Sequence, residues 1–279
     1  MRLPCMLMGG VPFYWSQLKP EMSLAQNINQ LFFSEDGNLR HEFDDLYDSL
    51  FKQPKPYLSI VDALATKKVG MTRTEILQAT KLTDNGKLTE YLENLEYCGF
   101  IRKYNCIGMK AKNALFQLMD NYTLFYYKFI KDSYINDAQY WTKITGKPEY
   151  NTWCGLAFER VCLQHVEQIK AKLGIQGVIT TVYSWNVAGS KEKPGAQIDL
   201  LIDRSDDVIN LCEIKYSKAL FQITHTIDEN LQNKRERFIQ ETGTEKAVHL
   251  TMITTMGLSD NPYAWDVQSV VTMDDLFVL

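Results

Sequence analysis

The sequence has 6 cysteines and 4 histidines, but no two cysteines stand at the C-x-x-C spacing and no H-E-x-x-H segment occurs. Zinc sites are most often built from such pairs, so a zinc centre is not expected. The chain also lacks a run of about 18 apolar residues, the length that a membrane-spanning helix needs. Its first residues lack the apolar core of a secretory signal. These absences predict a protein of the reducing cytoplasm, with no membrane partner.

The G-x-x-x-x-G-K-[ST] phosphate loop is also missing. Without a glycine-rich turn that presents backbone N–H groups and a lysine to phosphates, no ATP-binding residues are predicted. The chain has no excess of basic charge either: its net charge is −4, and residues 151–279 hold 12 Lys and Arg against 17 Asp and Glu. A general nucleic-acid footprint is therefore not expected. A metal-binding carboxylate cluster inside a locally basic groove is compatible with this balance.

With 279 residues, 45% of them hydrophobic, the chain is long enough for two or three domains. Residues 41–120 have the pattern of three helices followed by a hairpin. Apolar stripes mark the first and third helices: Tyr57, Ile60, Val61 and Leu64, then Leu88, Leu92 and Leu95. Thr72 and Glu75 have the spacing of a capping box that opens the second helix. This order predicts an α+β winged-helix domain.

The third helix of this domain carries Lys87 among four acidic residues, Asp84, Glu90, Glu93 and Glu96. Because acidic side chains repel phosphates, we do not expect this helix to read the major groove of DNA. The favoured interpretation is a protein-docking or spacer domain. The alternative is non-specific phosphate contact by basic residues of the wing, Arg102, Lys103, Lys110 and Lys112.

Residues 121–150 form an aromatic-rich helical connector in which Tyr122, Phe125, Tyr126 and Phe129 recur at helical spacing. Such a row of rings is able to stack on bases of a nucleic acid. Core packing is the commoner reason for it and is the interpretation we favour.

Residues 151–279 show the element order α-β-β-β-α-β, with predicted strands at 177–185, 196–203, 208–215 and 246–254 and a helix at 226–240. In the strand 208–215, Glu213 and Lys215 point to the same face, roughly 6 to 7 Å apart. Asp199 joins them if the strand 196–203 pairs alongside. Buried carboxylates are costly unless they are satisfied, and two of them suit Mg²⁺ or Mn²⁺.

The pattern Asp199, thirteen residues, Glu213-Ile214-Lys215 resembles the PD-(D/E)XK nuclease motif, and the element order resembles a restriction-endonuclease-like core. Ile198 stands where the family has proline. The resemblance implies that Asp199, Glu213 and Lys215 are catalytic. It also implies a metal held by Asp199 and Glu213 with Glu159 of the first helix, and a polar residue, Gln232 or Lys234, from the following helix. The implied activity is Mg²⁺-dependent or Mn²⁺-dependent hydrolysis of DNA, with RNA left open as a substrate.

Three segments near the start, "GGVPFYW", "NINQLFF" and "GNLRHEF", resemble the lid that ends the nucleotide-binding module of the DEXX-box ATPases of archaea and bacteria, relatives of the AAA-type ATPases. In that family an ATPase module precedes a winged helix and a nuclease-like domain. The resemblance implies that residues 1–40 are a remnant lid segment and that 151–279 is the nuclease-like domain. The chain would then correspond to the C-terminal half of such a protein, with an ATPase as its partner or missing module.

Two alternatives to a nuclease stay open from the sequence. One is a catalytically inactive module that keeps the fold and binds DNA. Its phosphate contacts, which an active enzyme would share, are predicted at Lys218, Lys234, Arg235 and Arg237. The other is the regulatory or dimerisation half of an ATPase, without chemistry of its own. The sequence does not predict an oligomeric state.

Overall fold

The structure, a computed structural model, describes residues 2–108, 113–131, 137–190 and 193–278. It is a mixed α/β protein with two compact units. Unit 1 comprises Met1–Lys103 and Leu115–Arg160, and unit 2 comprises Tyr104–Ala114 and Val161–Leu279. Lys110 and Lys112, predicted in the wing, lie outside the described residues. Among the helices that are described, none has the length and apolar character required to cross a membrane.

Unit 1 is mainly helical, with one small sheet. Its elements in chain order are α1 (Arg2–Met8), α2 (Pro12–Ser16), α3 (Leu24–Ile28) running into a π-helix (Asn29–Phe33), α4 (Asn38–Leu50), α5 (Pro54–Ala65), β1 (Met71–Thr72), α6 (Arg73–Thr80), α7 (Gly86–Tyr97), β2 (Ile101–Tyr104), β3 (Leu115–Leu118), α8 (Asn121–Phe129), α9 (Tyr140–Ile144) and α10 (Pro148–Gln164). The last residue of β2 and the last four residues of α10 are assigned to unit 2. The three strands lie in the order β1-β3-β2, and β1 and β3 are antiparallel.

Local sequence signals explain several of these helix boundaries. Thr72 accepts a hydrogen bond from the backbone N–H of Glu75, and the Glu75 carboxylate accepts one from the backbone N–H of Thr72, so both halves of the predicted capping box are present at the start of α6. Asn85 caps α7 through the N–H groups of Lys87 and Leu88. The apolar stripes predicted for the first and third helices are buried in α5 and α7.

An aromatic core joins the first 40 residues of unit 1 to residues 121–150. Phe125 of α8 is fully buried, with ring centroids 4.8 Å from Phe32 and 5.3 Å from Trp141. Tyr126 stacks on Phe43 at 3.9 Å. Because Tyr122, Phe125 and Phe129 are buried, these three rings serve packing, and the base-stacking interpretation does not apply to them.

Unit 2 contains a five-stranded mixed sheet with helices and short connecting segments. Its elements are α11 (Val166–Lys172), β4 (Thr180–Val187), β5 (Ala196–Arg204), β6 (Val208–Lys215), α12 (His225–Thr242), β7 (Ala247–Thr254), a 3-10 helix (Pro262–Asp266), β8 (Ser269–Thr272) and a second 3-10 helix (Asp274–Phe277). The strand order is β4-β5-β6-β7-β8. The pairs β4/β5 and β5/β6 are antiparallel, whereas β6/β7 and β7/β8 are parallel.

The predicted first helix corresponds to two helices, α10 and α11, and the elements that follow them through β7 have the predicted order β-β-β-α-β. Strand β8 adds a fifth strand that was not predicted. Strand β6 has the predicted bounds, whereas β4 begins at Thr180 and ends at Val187 instead of spanning 177–185. The β8 segment, Ser-Val-Val-Thr, does not alternate apolar and polar residues, so no period of two marks it. Its parallel partner β7 supplies the backbone hydrogen bonds that define it.

A β-bulge in β5 positions the part of the sheet that bears the predicted site. Tyr183 pairs with Leu201 and Trp185 pairs with Ile198, so Ser184 alone lies opposite both Asp199 and Leu200. Ile198 and Leu201, three residues apart, accordingly belong to the same core cluster, together with Leu231 and Phe238 of α12.

Candidate functional site

Glu213 on β6 is a buried carboxylate held by two lysines. Its Oε1 lies 2.8 Å from Lys215 Nζ, and its Oε2 lies 2.7 Å from Lys234 Nζ on α12. The side chains of Glu213 and Lys234 are only 9% and 14% exposed, while that of Lys215 is 40% exposed. Each carboxylate oxygen therefore has its own cationic partner, which satisfies a charge that would otherwise be costly to bury.

Two features of the fold bring these three side chains together. Alternation along β6 puts Glu213 and Lys215 on one face of the sheet. Helix α12 packs on that same face, because Leu211 of β6 and Leu231 of α12 share the core cluster. Lys234, one turn of helix beyond Leu231, therefore reaches Glu213. The other polar residue considered on this helix, Gln232, instead donates to Asp228 and Asp266.

Asp199 lies on the neighbouring strand, within the bulge of β5. The antiparallel register of β5 with β6 begins at Leu200, which pairs with Cys212, and Asp199 and Glu213 are the residues that adjoin this pair. Asp199 Oδ1 accepts a 2.7 Å hydrogen bond from Gln197 Nε2. Within the described part of the chain, no hydrogen bond or ion pair joins Asp199 to Glu213, Lys215 or Lys234.

Glu159, the third predicted metal ligand, belongs to unit 1. Its Oε1 pairs with Arg160 Nη1 at 2.8 Å and its Oε2 with Lys68 Nζ at 2.7 Å. Arg160 also donates to the Lys68 carbonyl. Both Glu159 oxygens are thus engaged by neighbours in unit 1, and its role as a metal ligand stays a prediction.

The predicted DNA-contacting residues have different environments. Lys218 is exposed in the segment that follows β6, and Arg235 is half-buried on α12. Arg237 is 5% exposed and donates to the Pro194 carbonyl and to Glu241. The Arg237 guanidinium is buried and hydrogen-bonded within unit 2. It therefore anchors α12 and is not available to a phosphate. Lys234 belongs to the Glu213 cluster, which leaves Lys218 and Arg235 as the candidate phosphate contacts.

The donor set suits a hard divalent cation. Mg²⁺ is usually bound by one or two carboxylates, with waters and substrate phosphates in the other positions, and Asp199 and Glu213 supply two carboxylates on adjacent strands. A group of three or more His, Cys, Asp or Glu side chains placed to bind a metal does not occur in the described ranges. Burial raises the pKa of the neighbouring Cys212 thiol, so this sulfur stays protonated and is a poor metal ligand.

Three features of this site were not predicted from the sequence: the contact between Lys234 and Glu213, the hydrogen bond from Gln197 to Asp199, and the bulge at Asp199. The resemblance named Lys234 or Gln232 as a site residue, but the contact with Glu213 spans 21 positions along the chain, and no local pattern indicates it. Gln197, the partner of Asp199, stands two residues away on the same strand. Because side chains alternate between the two faces of a strand, this spacing was the signal that could have indicated the contact. The bulge that contains Asp199 has no signature in the sequence, because no glycine marks it.

No family model and no solved structure matches the chain. Among curated proteins, it is similar to one from Methanocaldococcus jannaschii described as "Uncharacterized protein MJECL04". The two are 26% identical over 164 residues, which cover 57% of this chain and 36% of the relative. The chain thus matches just over a third of the relative's length, and the case for its function rests on its own residues.

Proposed function

We propose that this protein is a metal-dependent nuclease that hydrolyses phosphodiester bonds of DNA, with Asp199, Glu213 and Lys215 as its catalytic residues. The observation that carries the proposal is the buried Glu213, which has a lysine on each oxygen and lies on the strand beside Asp199. Phosphoryl transfer requires positive charge beside the scissile phosphate. Two carboxylates on adjacent strands suit a metal ion, and the half-exposed Lys215 beside them supplies a further positive charge.

Each side chain has a distinct role in this proposal. Asp199 and Glu213 would hold Mg²⁺ or Mn²⁺, which would supply Lewis-acid chemistry at the scissile phosphate. Lys215, whose side chain is 40% exposed, orients the attacking water and interacts with the scissile phosphate. Lys218 and Arg235 contact neighbouring phosphates of the strand.

The two units are proposed to have the folds that the sequence resembles. The order α5-β1-α6-α7-β2-β3, with a sheet in the order β1-β3-β2, supports a winged helix in unit 1. The order α-β-β-β-α-β supports a restriction-endonuclease-like core in unit 2. The resemblance to DEXX-box ATPases supports an ATPase as a partner of this chain, whose sequence contains no phosphate loop.

The test is cleavage of single-stranded, duplex and branched DNA, and of RNA, with Mg²⁺ or Mn²⁺. Asp199→Asn, Glu213→Gln and Lys215→Met should each reduce the rate by at least about a hundred-fold. Asp203→Asn is the matched control, because Asp203 lies on the same strand and is also held by a lysine, Lys246 at 2.7 Å. Its rate should stay within a few-fold of the wild type. Failure of the wild-type protein to cleave any of these substrates would refute the proposal.

A catalytically inactive DNA-binding or regulatory module is the second candidate. One observation favours it: Lys215 and Lys234 already balance the charge of Glu213 without a metal. This candidate predicts that duplex DNA binds equally well with Mn²⁺ and with EDTA, and that no metal supports cleavage. Cleavage that disappears in Glu213→Gln would exclude it.

A further inference from the structure

The two lysines on Glu213 differ in how easily they can leave it. The Lys215 side chain is 40% exposed at the end of β6, so its ammonium can exchange Glu213 for water or a phosphate. The Lys234 side chain is 14% exposed, and the helix that bears it is anchored by Leu231 and Phe238, both buried in the core of unit 2. Lys234 is therefore the more persistent of the two partners.

An ammonium and a divalent cation compete for the same carboxylate oxygen. Lys234 occupies Glu213 Oε2 directly, and its positive charge also repels a cation bound at Oε1, because the repulsion is poorly screened where water is largely excluded. A metal that binds to Glu213 must displace Lys234 or tolerate it as a near neighbour. Either route lowers the affinity of the site for metal.

We infer that Lys234 is a latch that closes the metal site: it holds Glu213 in the metal-free protein and sets how tightly a divalent cation binds. The inference rests on the proposed function in taking Glu213 as a metal ligand. It differs from the phosphate-contacting role predicted for Lys234 from the sequence, since the ammonium is directed at a carboxylate of its own chain.

The test is calorimetric titration of the full chain with Mn²⁺ in the absence of nucleic acid. Lys234→Met removes the charge while keeping a similar apolar stem, and Lys234→Gln removes the charge while keeping a hydrogen-bond donor. Both variants should bind Mn²⁺ about 10- to 100-fold more tightly than the wild type, the range typical of groups that tune metal ligands. Lys246→Met is the matched control: it removes a lysine from Asp203 on the same sheet and should leave the Mn²⁺ affinity unchanged.

The inference is overturned if both Lys234 variants, with hydrogen exchange in β6 still protected, bind Mn²⁺ no more tightly than the wild type. Its failure is distinguishable from that of the proposed nuclease. Tighter Mn²⁺ binding by the variants with no cleavage by any form of the protein would refute the nuclease and support the latch. Cleavage by the wild type, without tighter binding by the variants, would refute the latch alone.

Discussion

In the Glu213 cluster, replacing Glu213 should lower the free energy of unfolding more than replacing Lys234. Glu213→Gln leaves Lys234, only 14% exposed, without a counter-charge, and removing one partner of a buried pair costs about 3 to 5 kcal/mol. We expect a loss near the lower end, about 3 kcal/mol, because Lys234 keeps some contact with water. Lys234→Met should cost only about 1 kcal/mol, since Glu213 retains its 2.8 Å partner Lys215.

The double variant Glu213→Gln/Lys234→Met completes a thermodynamic cycle. Because the second change removes the stranded lysine, the double variant should be more stable than the sum of the two single losses predicts, by about 1 to 3 kcal/mol. Native-state hydrogen exchange is the appropriate assay, because amides of β6 report on unit 2 while amides of α8 in unit 1 serve as an internal reference.

A second cycle, Asp203→Asn with Lys246→Met, is the control for these measurements. These side chains are 27% and 31% exposed, and a solvent-screened pair of this kind should show a much smaller coupling than the Glu213 cycle. Additive losses in the Glu213 cycle, or a Lys234→Met loss larger than that of Glu213→Gln, would refute the reasoning.

Two further predictions concern DNA contact and acid stability. Lys218→Ala with Arg235→Ala should weaken duplex binding at every sequence and reduce the salt slope by about 0.9 per lost phosphate contact, whereas Lys87→Ala should have little effect. The reverse pattern would move the DNA surface to α7. A hydrogen bond from Lys67 and one from the Thr72 backbone lower the pKa of Glu75. Its contribution to stability should therefore be complete above the usual glutamate pKa and vanish as pH falls through the lowered one. Urea unfolding of Glu75→Gln should be less sensitive to pH across that acid range than unfolding of the wild type, and an equal sensitivity would contradict the assignment.

Local signals in the sequence determined several elements of the secondary structure. Thr72 and Glu75 form their capping box because both partners lie within one turn of helix, so no other part of the chain is needed. Strand β6 has the predicted bounds, and the contact between Glu213 and Lys215 follows from the period of two along a strand. Each of these depends on residues only a few positions apart.

Tertiary structure decided which charges meet. Lys234 reaches Glu213 only because α12 packs on one particular face of the sheet. Glu159 forms an ion pair with Lys68, which lies 91 positions earlier along the chain. The bulge at Asp199 depends on the pairing of β5 with β4, since only the opposite strand defines where a residue is extra. The spacing of residues along the chain does not indicate such long-range contacts, because they result from how whole helices and strands bury their apolar faces against one another.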